Sequence, residues 1–223
     1  MKSTGADDIR SIVNAIKKDP SIRGVILRVN SPGGSMLASD QMYHALKELK
    51  ESRKKVYTSM GNVAASGGYY VALATDQIWA SSTTLTGSIG VISVFQNVER
   101  LNEILGIKRD VIKTGPYMDM FSSNRAMTDK EKEKYLAFQK EKYDIFVEKV
   151  KSNRNLSEDE VLDVAQGQVF TGEEARRLKL VDRLGSFEET VNALAQDLNI
   201  EEPELILFRQ PLSILESLLF GAR

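Results

Sequence analysis

Residues 59–70 read Ser59-Met60-Gly61-Asn62-Val63-Ala64-Ala65-Ser66-Gly67-Gly68-Tyr69-Tyr70. The run from Lys55 to Met60 predicts a strand that leads into this stretch, and a helix is expected from about Tyr69 to Thr75. Ser66 therefore stands where a strand gives way to a helix, and its immediate neighbours are all tiny. Small residues let the backbone turn sharply and let another chain come close to the hydroxyl. A serine at a helix start also lies beside free N–H groups and the positive end of the helix dipole. Such groups can stabilise an oxyanion. The same segment is equally explained by a tight junction whose serine merely caps the helix.

Working outward, Gly24 to Val29 reads as a short buried strand and Asn30-Ser31-Pro32-Gly33-Gly34 as a sharp turn. Two glycines after a strand can present backbone N–H groups to a ligand. Paired with the Ser66 segment some thirty residues later, the turn could supply an oxyanion hole for a serine nucleophile. Ile9, Ile12, Val13 and Ile16 predict a helix over 6–18, which Asp19-Pro20 ends. A helix over about 39–52 carries His44, and Gln77 to Ala80 is a further strand. A glycine-rich turn, Thr86-Gly87-Ser88-Ile89-Gly90, precedes the apolar stretch Val91 to Phe95. Next come a helix near 98–105, a strand over 108–113 and a charged helix from Thr128 to about Val150. Thr128 and Glu131 are spaced as a capping box. Tyr135, Leu136, Phe138, Tyr143, Phe146, Val147 and Val150 give that helix a face to bury. Short helices over 157–165 and 172–179, a strand or turn at Leu180-Val181-Asp182, a helix over 186–198 and a late strand over 205–208 complete the chain. The tail Pro211 to Leu219 is apolar at helical spacing, which suits packing on the domain, a partner or a membrane surface. Strands alternating with helices predict an α/β fold with a mostly parallel sheet flanked by helices. Residues 1–223 are read as a single domain, with 205–223 as a C-terminal strand and apolar tail.

Composition narrows the chemistry. A net charge of −1, from 30 basic and 31 acidic residues, argues against a nucleic-acid surface. With no cysteine and one histidine, a disulfide scaffold, a thiolate site and a multi-histidine metal site are excluded. No run of 18 apolar residues suits a membrane span, and the first residues lack the apolar core of a signal peptide.

Three segments resemble the signal peptide peptidase A family, bacterial serine peptidases of the Clp-protease/crotonase superfamily. They are Val29 to Gly34, Ser59 to Tyr70, and Leu85-Thr86-Gly87-Ser88-Ile89-Gly90-Val91. The downstream Ala165-Gln166-Gly167-Gln168-Val169-Phe170-Thr171-Gly172 and Leu180-Val181-Asp182 match as well, so the likeness covers nearly the whole chain. It implies a Clp-protease/crotonase-like fold and a Ser/Lys dyad without histidine. Ser66 matches the nucleophile. Gly33 and Gly67 match the oxyanion donors, with Gly33 and Gly34 beside the substrate. Ser88 matches the serine that orients the lysine.

The lysine itself is missing. The family places it some fifty residues after the serine, in a Gly-x-Tyr/His-Lys-Asp segment followed by Ser-Pro and Met-Thr. Here the chain reads Thr114-Gly115-Pro116-Tyr117-Met118-Asp119, with Ser122-Ser123 and Met127-Thr128 downstream. Met118 occupies the lysine position. A neutral amine can take a proton from serine, whereas a thioether is a very weak acceptor. Methionine matches lysine in length and suits a buried apolar slot, so it would keep packing and remove the base. Met118 is read either as an introduced change or as a natural loss that leaves a non-catalytic peptide-binding or assembly subunit. His44 matches no catalytic position. Lys113, five residues before Met118, would point to the opposite face of a strand.

The resemblance further implies hydrophobic or unfolded peptide substrates such as released signal peptides, bound by strand addition near Gly33. It also implies homo-oligomeric rings, octameric for single-length chains, an extracytoplasmic catalytic domain anchored in the membrane, and no metal or organic cofactor. Family members carry an N-terminal anchor and a first strand ahead of the region matching residues 3–8. Without that strand, its neighbour in the sheet has an open edge. A crotonase-type acyl-CoA enzyme is the reading that fold analogy alone would allow.

Overall fold

In the computed structural model, residues 4–208 are described, and the tail from Pro211 to Leu219 lies outside them. Helix α1 (Ala6–Lys18) forms where the isoleucine spacing predicts it, with Val13 and Ile16 buried. It stops at Asp19, and the Lys54 ammonium then holds the connecting loop through the carbonyls of Asp19 (2.7 Å) and Ile22 (2.5 Å). Strand β1 (Gly24–Ser31) follows, and helix α2 (Met36–Glu51) starts at the N-cap Ser35. Strand β2 (Lys55–Ala65) is the longest strand and runs directly into helix α3 (Gly67–Ala72).

Strand β2 is the spine of a six-stranded mixed sheet. Strand β1 runs parallel to it in register from Gly24↔Lys55 to Val29↔Met60, and then the register shifts so that Ser31 faces Ala64. Strand β3 (Gln77–Ala80) pairs in parallel with residues 57–59 of β2, and strand β4 (Leu85–Gly87) pairs in parallel with residues 63–65. The remaining strands lie further out. Strand β5 (Val169–Thr171) is antiparallel to β4, and β6 (Arg183–Leu184), parallel to β3, supplies the pairing near 180–182. Side chains alternate along a strand. Tyr57 and Trp79 pack on Leu194 of helix α8 (Phe187–Asp197), while the buried Val56 and Thr58 point to the other face.

The described backbone clusters into two compact units, residues 4–89 with 147–208, and residues 90–146. The sheet, α1 to α3, α6 (Glu158–Val164), α7 (Gly172–Arg177) and α8 belong to the first. The second holds α4 (Glu99–Ile104) and the first part of α5 (Asp129–Arg154), which continues into the first unit.

Two expected strands do not form. Residues 108–113 run as exposed coil, with Ile112 99% accessible, because the second unit contains no strand among the described residues to pair with them. Residues 205–208 are likewise unpaired and exposed. The long charged helix buries its apolar face only toward its end. Phe146, Val147 and Val150 are buried, while Leu136 and Phe138 stay exposed.

Candidate active site

Strand β2 ends at Ala65 and α3 begins at Gly67, so Ser66 alone makes the turn. Its backbone has φ 50° and ψ −119°, a conformation that costs a non-glycine residue about 1–3 kcal/mol. Two hydrogen bonds impose it: the Ser66 N–H donates to the Gly87 carbonyl and the Tyr70 N–H donates to the Ser66 carbonyl, both at 2.9 Å. The hydroxyl does not cap the helix, which removes the capping explanation of this serine. With only six residues, α3 has a small dipole, and what the junction offers is its first N–H groups.

The turn after β1 is pressed against this point. Gly33 has φ +115°, and a Cβ placed on it would lie 2.8 Å from the Ser66 Cβ and 3.0 Å from the Gly67 nitrogen. Only glycine allows both that conformation and that approach. A Cβ on Gly67 would lie 2.5 Å from the Ser39 Oγ and 3.2 Å from the Gly34 nitrogen. The buried Ser39 of α2 thus lies directly beneath the junction. The Gly33 N–H, read from the sequence as an oxyanion donor, donates instead to the Ser31 Oγ at 3.2 Å. Among the described residues the N–H groups of Gly34 and Gly67 have no hydrogen-bond acceptor. Asn30 secures the base of the turn: its Oδ1 accepts from the Val63 N–H at 3.2 Å within the register shift between β1 and β2.

Ser88 arrives by strand pairing. Ala65 faces Gly87 across β2 and β4, so the next residues, Ser66 and Ser88, leave adjacent strand ends. Gly87 has φ +80° and Ser88 φ +49°. The Ser88 N–H donates to the Gln168 carbonyl at 2.6 Å, and the Gly167 N–H to the Ile89 carbonyl at 3.0 Å. That is the physical role of the downstream Ala165 to Gly172 segment. Ser66, Ser88, Gly33, Gly34 and Gly67 are therefore brought together within the first unit. Ser31, Asn30 and Ser39 were not singled out from sequence; a serine two residues before a glycine in a Pro-Gly turn is the one local signal for the first of them.

Met118 belongs to the second unit. It sits in a run of turns, with its N–H 3.4 Å from the Gly115 carbonyl, and it is 72% exposed rather than in a buried slot. The segment is held by charge as well as by aromatic packing, Phe121 stacking on Phe95 and meeting Tyr135 edge-on. The neighbouring Asp119 accepts from Arg125 through Nε and Nη2, both at 2.8 Å, and from the Lys113 ammonium at 2.7 Å. Arg125 also grips Glu131, at 2.8 and 2.6 Å. Glu131 closes the expected capping box, accepting from the Thr128 N–H at 2.8 Å while its own N–H donates to Thr128 Oγ1 at 3.3 Å. Arg125, then Lys113, holds the Asp119 carboxyl well below the usual carboxylate range. Arg125, then Thr128, brings that of Glu131 down to about 2.

Other bases fit less well. Lys113 is engaged with Asp119, and since no strand forms there the strand-face argument does not apply to it. His44 is a largely exposed helix residue 3.6 Å from Asp40. No group of three or more metal-ligating side chains occurs among the described residues, nor any helix long and apolar enough to cross a membrane.

Residues 48–201 match Peptidase family S49, well over half of the chain. This chain belongs to peptidase family S49. The provisionally named protease slr0021 of Synechocystis sp. is 38% identical over 216 residues, covering 95% of this chain and 78% of that protein. A provisionally named signal peptide peptidase SppA of Enterococcus faecium is 34% identical over 194 residues, covering 87% and 56%. The chain spans 78% of the first of these relatives and 32% of the chloroplastic serine protease SPPA of Arabidopsis thaliana. In fold it is similar to a ClpP1 mutant of Listeria monocytogenes, with a TM-score of 0.53 over 82% of this chain and 85% of that one, at 13% identity. The S49 chain is thus an α/β protein of ClpP-like fold in a serine peptidase family, which leaves the acyl-CoA reading without support.

Proposed function

We propose that this S49 chain carries the site of a Ser/Lys endopeptidase for released signal peptides and other hydrophobic or unfolded peptides, disabled by methionine at the base position. Ser66 is the nucleophile. The N–H groups of Gly34 and Gly67 form the oxyanion pair, Gly34 replacing Gly33 because the latter's N–H is already bonded. Ser88 orients the base, whose place Met118 takes. The observation that carries this reading is the strained Ser66, held with its hydroxyl uncommitted against the Gly33-Gly34 turn.

The chemistry follows. The Ser66 Oγ bonds to the substrate carbonyl carbon as its proton passes to a base, and the carbonyl oxygen takes up the electron pair between the two N–H groups. The proton then goes to the leaving amine as the C–N bond breaks, and water hydrolyses the acyl-enzyme. A thioether accepts no proton at the first step. Loss of a member of such a catalytic set costs on the order of 10⁴ in rate. Chains of this kind are expected to act as membrane-associated rings with an extracytoplasmic catalytic face, octameric at single length.

The test is hydrolysis of a fluorogenic hydrophobic peptide. The Met118→Lys variant should gain at least about a thousandfold over the present chain. Adding Ser66→Ala should remove that gain, and cleavage persisting in the double variant would sink the assignment. Met118 itself favours a second reading, a peptide-binding or assembly subunit without activity. Tight peptide binding by the present chain, with no gain in the Met118→Lys variant, would select it.

A further inference from the structure

The turn that faces Ser66 has few N–H groups to offer. Pro32 has none. That of Gly33 is taken by the Ser31 Oγ at 3.2 Å, while the Ser31 hydroxyl lies 3.5 Å from the Gly33 carbonyl. The first free donor after β1 is therefore Gly34. Ser31 is itself wedged. Its carbonyl oxygen lies 2.9 Å, and its Cβ 3.4 Å, from where a Cβ on Gly68 would stand. The Gly33 Cα lies 3.5 Å from the equivalent point on Gly67. Four residues with little or no side chain are stacked so closely that a rotation of the Gly33 peptide would push on Ser66.

We propose that Ser31 is a positioning residue of the site: by holding the Gly33 N–H, its hydroxyl makes the turn present the Gly34 N–H to the oxyanion. The purpose of this arrangement rests on the peptidase reading above, while the hydrogen bond does not. Ser31 touches no reacting atom and acts only through the Gly33-Gly34 backbone. Removing its hydroxyl frees the Gly33 N–H and lets the turn settle with either donor, or neither, facing Ser66.

Two measurements test it on the chain as it stands. The first is amide exchange followed by NMR. The Gly33 N–H should exchange slowly and the Gly34 N–H fast. Ser31→Ala should speed Gly33 exchange by about tenfold, the order of one hydrogen bond, and Ser31→Thr should restore protection. The second is the affinity of a leucine-terminated peptide boronic acid. It forms a tetrahedral B–O bond to the Ser66 Oγ, releases a proton to water and needs no lysine. Ser31→Ala should weaken binding by about tenfold and Ser31→Thr by less than about twofold, while Ser66→Ala should abolish it. In the Met118→Lys background, Ser31→Ala should lower kcat and leave KM nearly unchanged. Gly33 exchange and boronate affinity both unaltered in Ser31→Ala would overturn the proposal. Boronate bound equally by the Ser66→Ala variant would instead place the failure in the peptidase reading, and Gly33 exchange would then decide whether Ser31 holds the turn.

Discussion

At the residue scale, the site depends on what is missing from side chains. A methyl group on Gly33 would meet the Ser66 Cβ at 2.8 Å and sit on a backbone with φ +115°. Strain and overpacking each cost about 1–3 kcal/mol. Gly33→Ala should therefore lose about 3 kcal/mol in urea unfolding, and boronate binding with it. Gly34 has nothing within 4 Å of the same position, so Gly34→Ala should lose distinctly less. Equal losses at both positions would contradict this packing. Ser66 was legible from its tiny neighbours, because a strand can enter a helix in one residue only where side chains are absent. The role of Ser31 was not, because it depends on which way one peptide plane faces.

At the element scale, the segment that carries Met118 is organised by ions rather than by secondary structure. Asp119 and Glu131 have depressed carboxyl pKa values, through Arg125 in the first place. Depressed carboxylates contribute stability above their unfolded values, near pH 4, and lose it as the pH falls through the folded ones. The clamp should thus hold unchanged above about pH 5 and open as the pH falls toward about 2. The Arg125 Nε–H resonance should be sharp and slowly exchanging at pH 6 and disappear on acidification. In Arg125→Met the segment should be mobile at both pH values by backbone relaxation, and rigid behaviour at pH 6 would show that the clamp is not what orders it. The capping box of Thr128 and Glu131 could be read from spacing. The absence of a strand over 108–113 could not, since that run has strand-like residues and lacks only a partner.

At the scale of the whole molecule, the second unit exposes much apolar surface. Ile92 is 90% accessible, Val94 86% and Leu136 67%. Monomers rarely leave so many large apolar side chains in water together. We expect the chain to associate with copies of itself, as the ring reading requires, and to sediment well above 24.9 kDa. Replacing Leu136 and Phe138 by glutamate should weaken association by more than about tenfold, because each buried leucine- or phenylalanine-sized side chain is worth about 1.5–3 kcal/mol. A monomer at all concentrations would contradict the expectation.

The sequence by itself determined the α/β class, most helix and strand positions and the Ser66 junction. Those features follow from local causes: hydrophobic spacing, caps, glycine clusters and the order of motifs along the chain. Only the tertiary structure decided that two units share the chain and that 108–113 and 205–208 remain unpaired. It alone also assigned the Gly33 N–H to Ser31 and the free donors to Gly34 and Gly67. Strand pairing, burial and the direction of a single N–H are set by whatever segment arrives alongside, and no local window of sequence contains that partner.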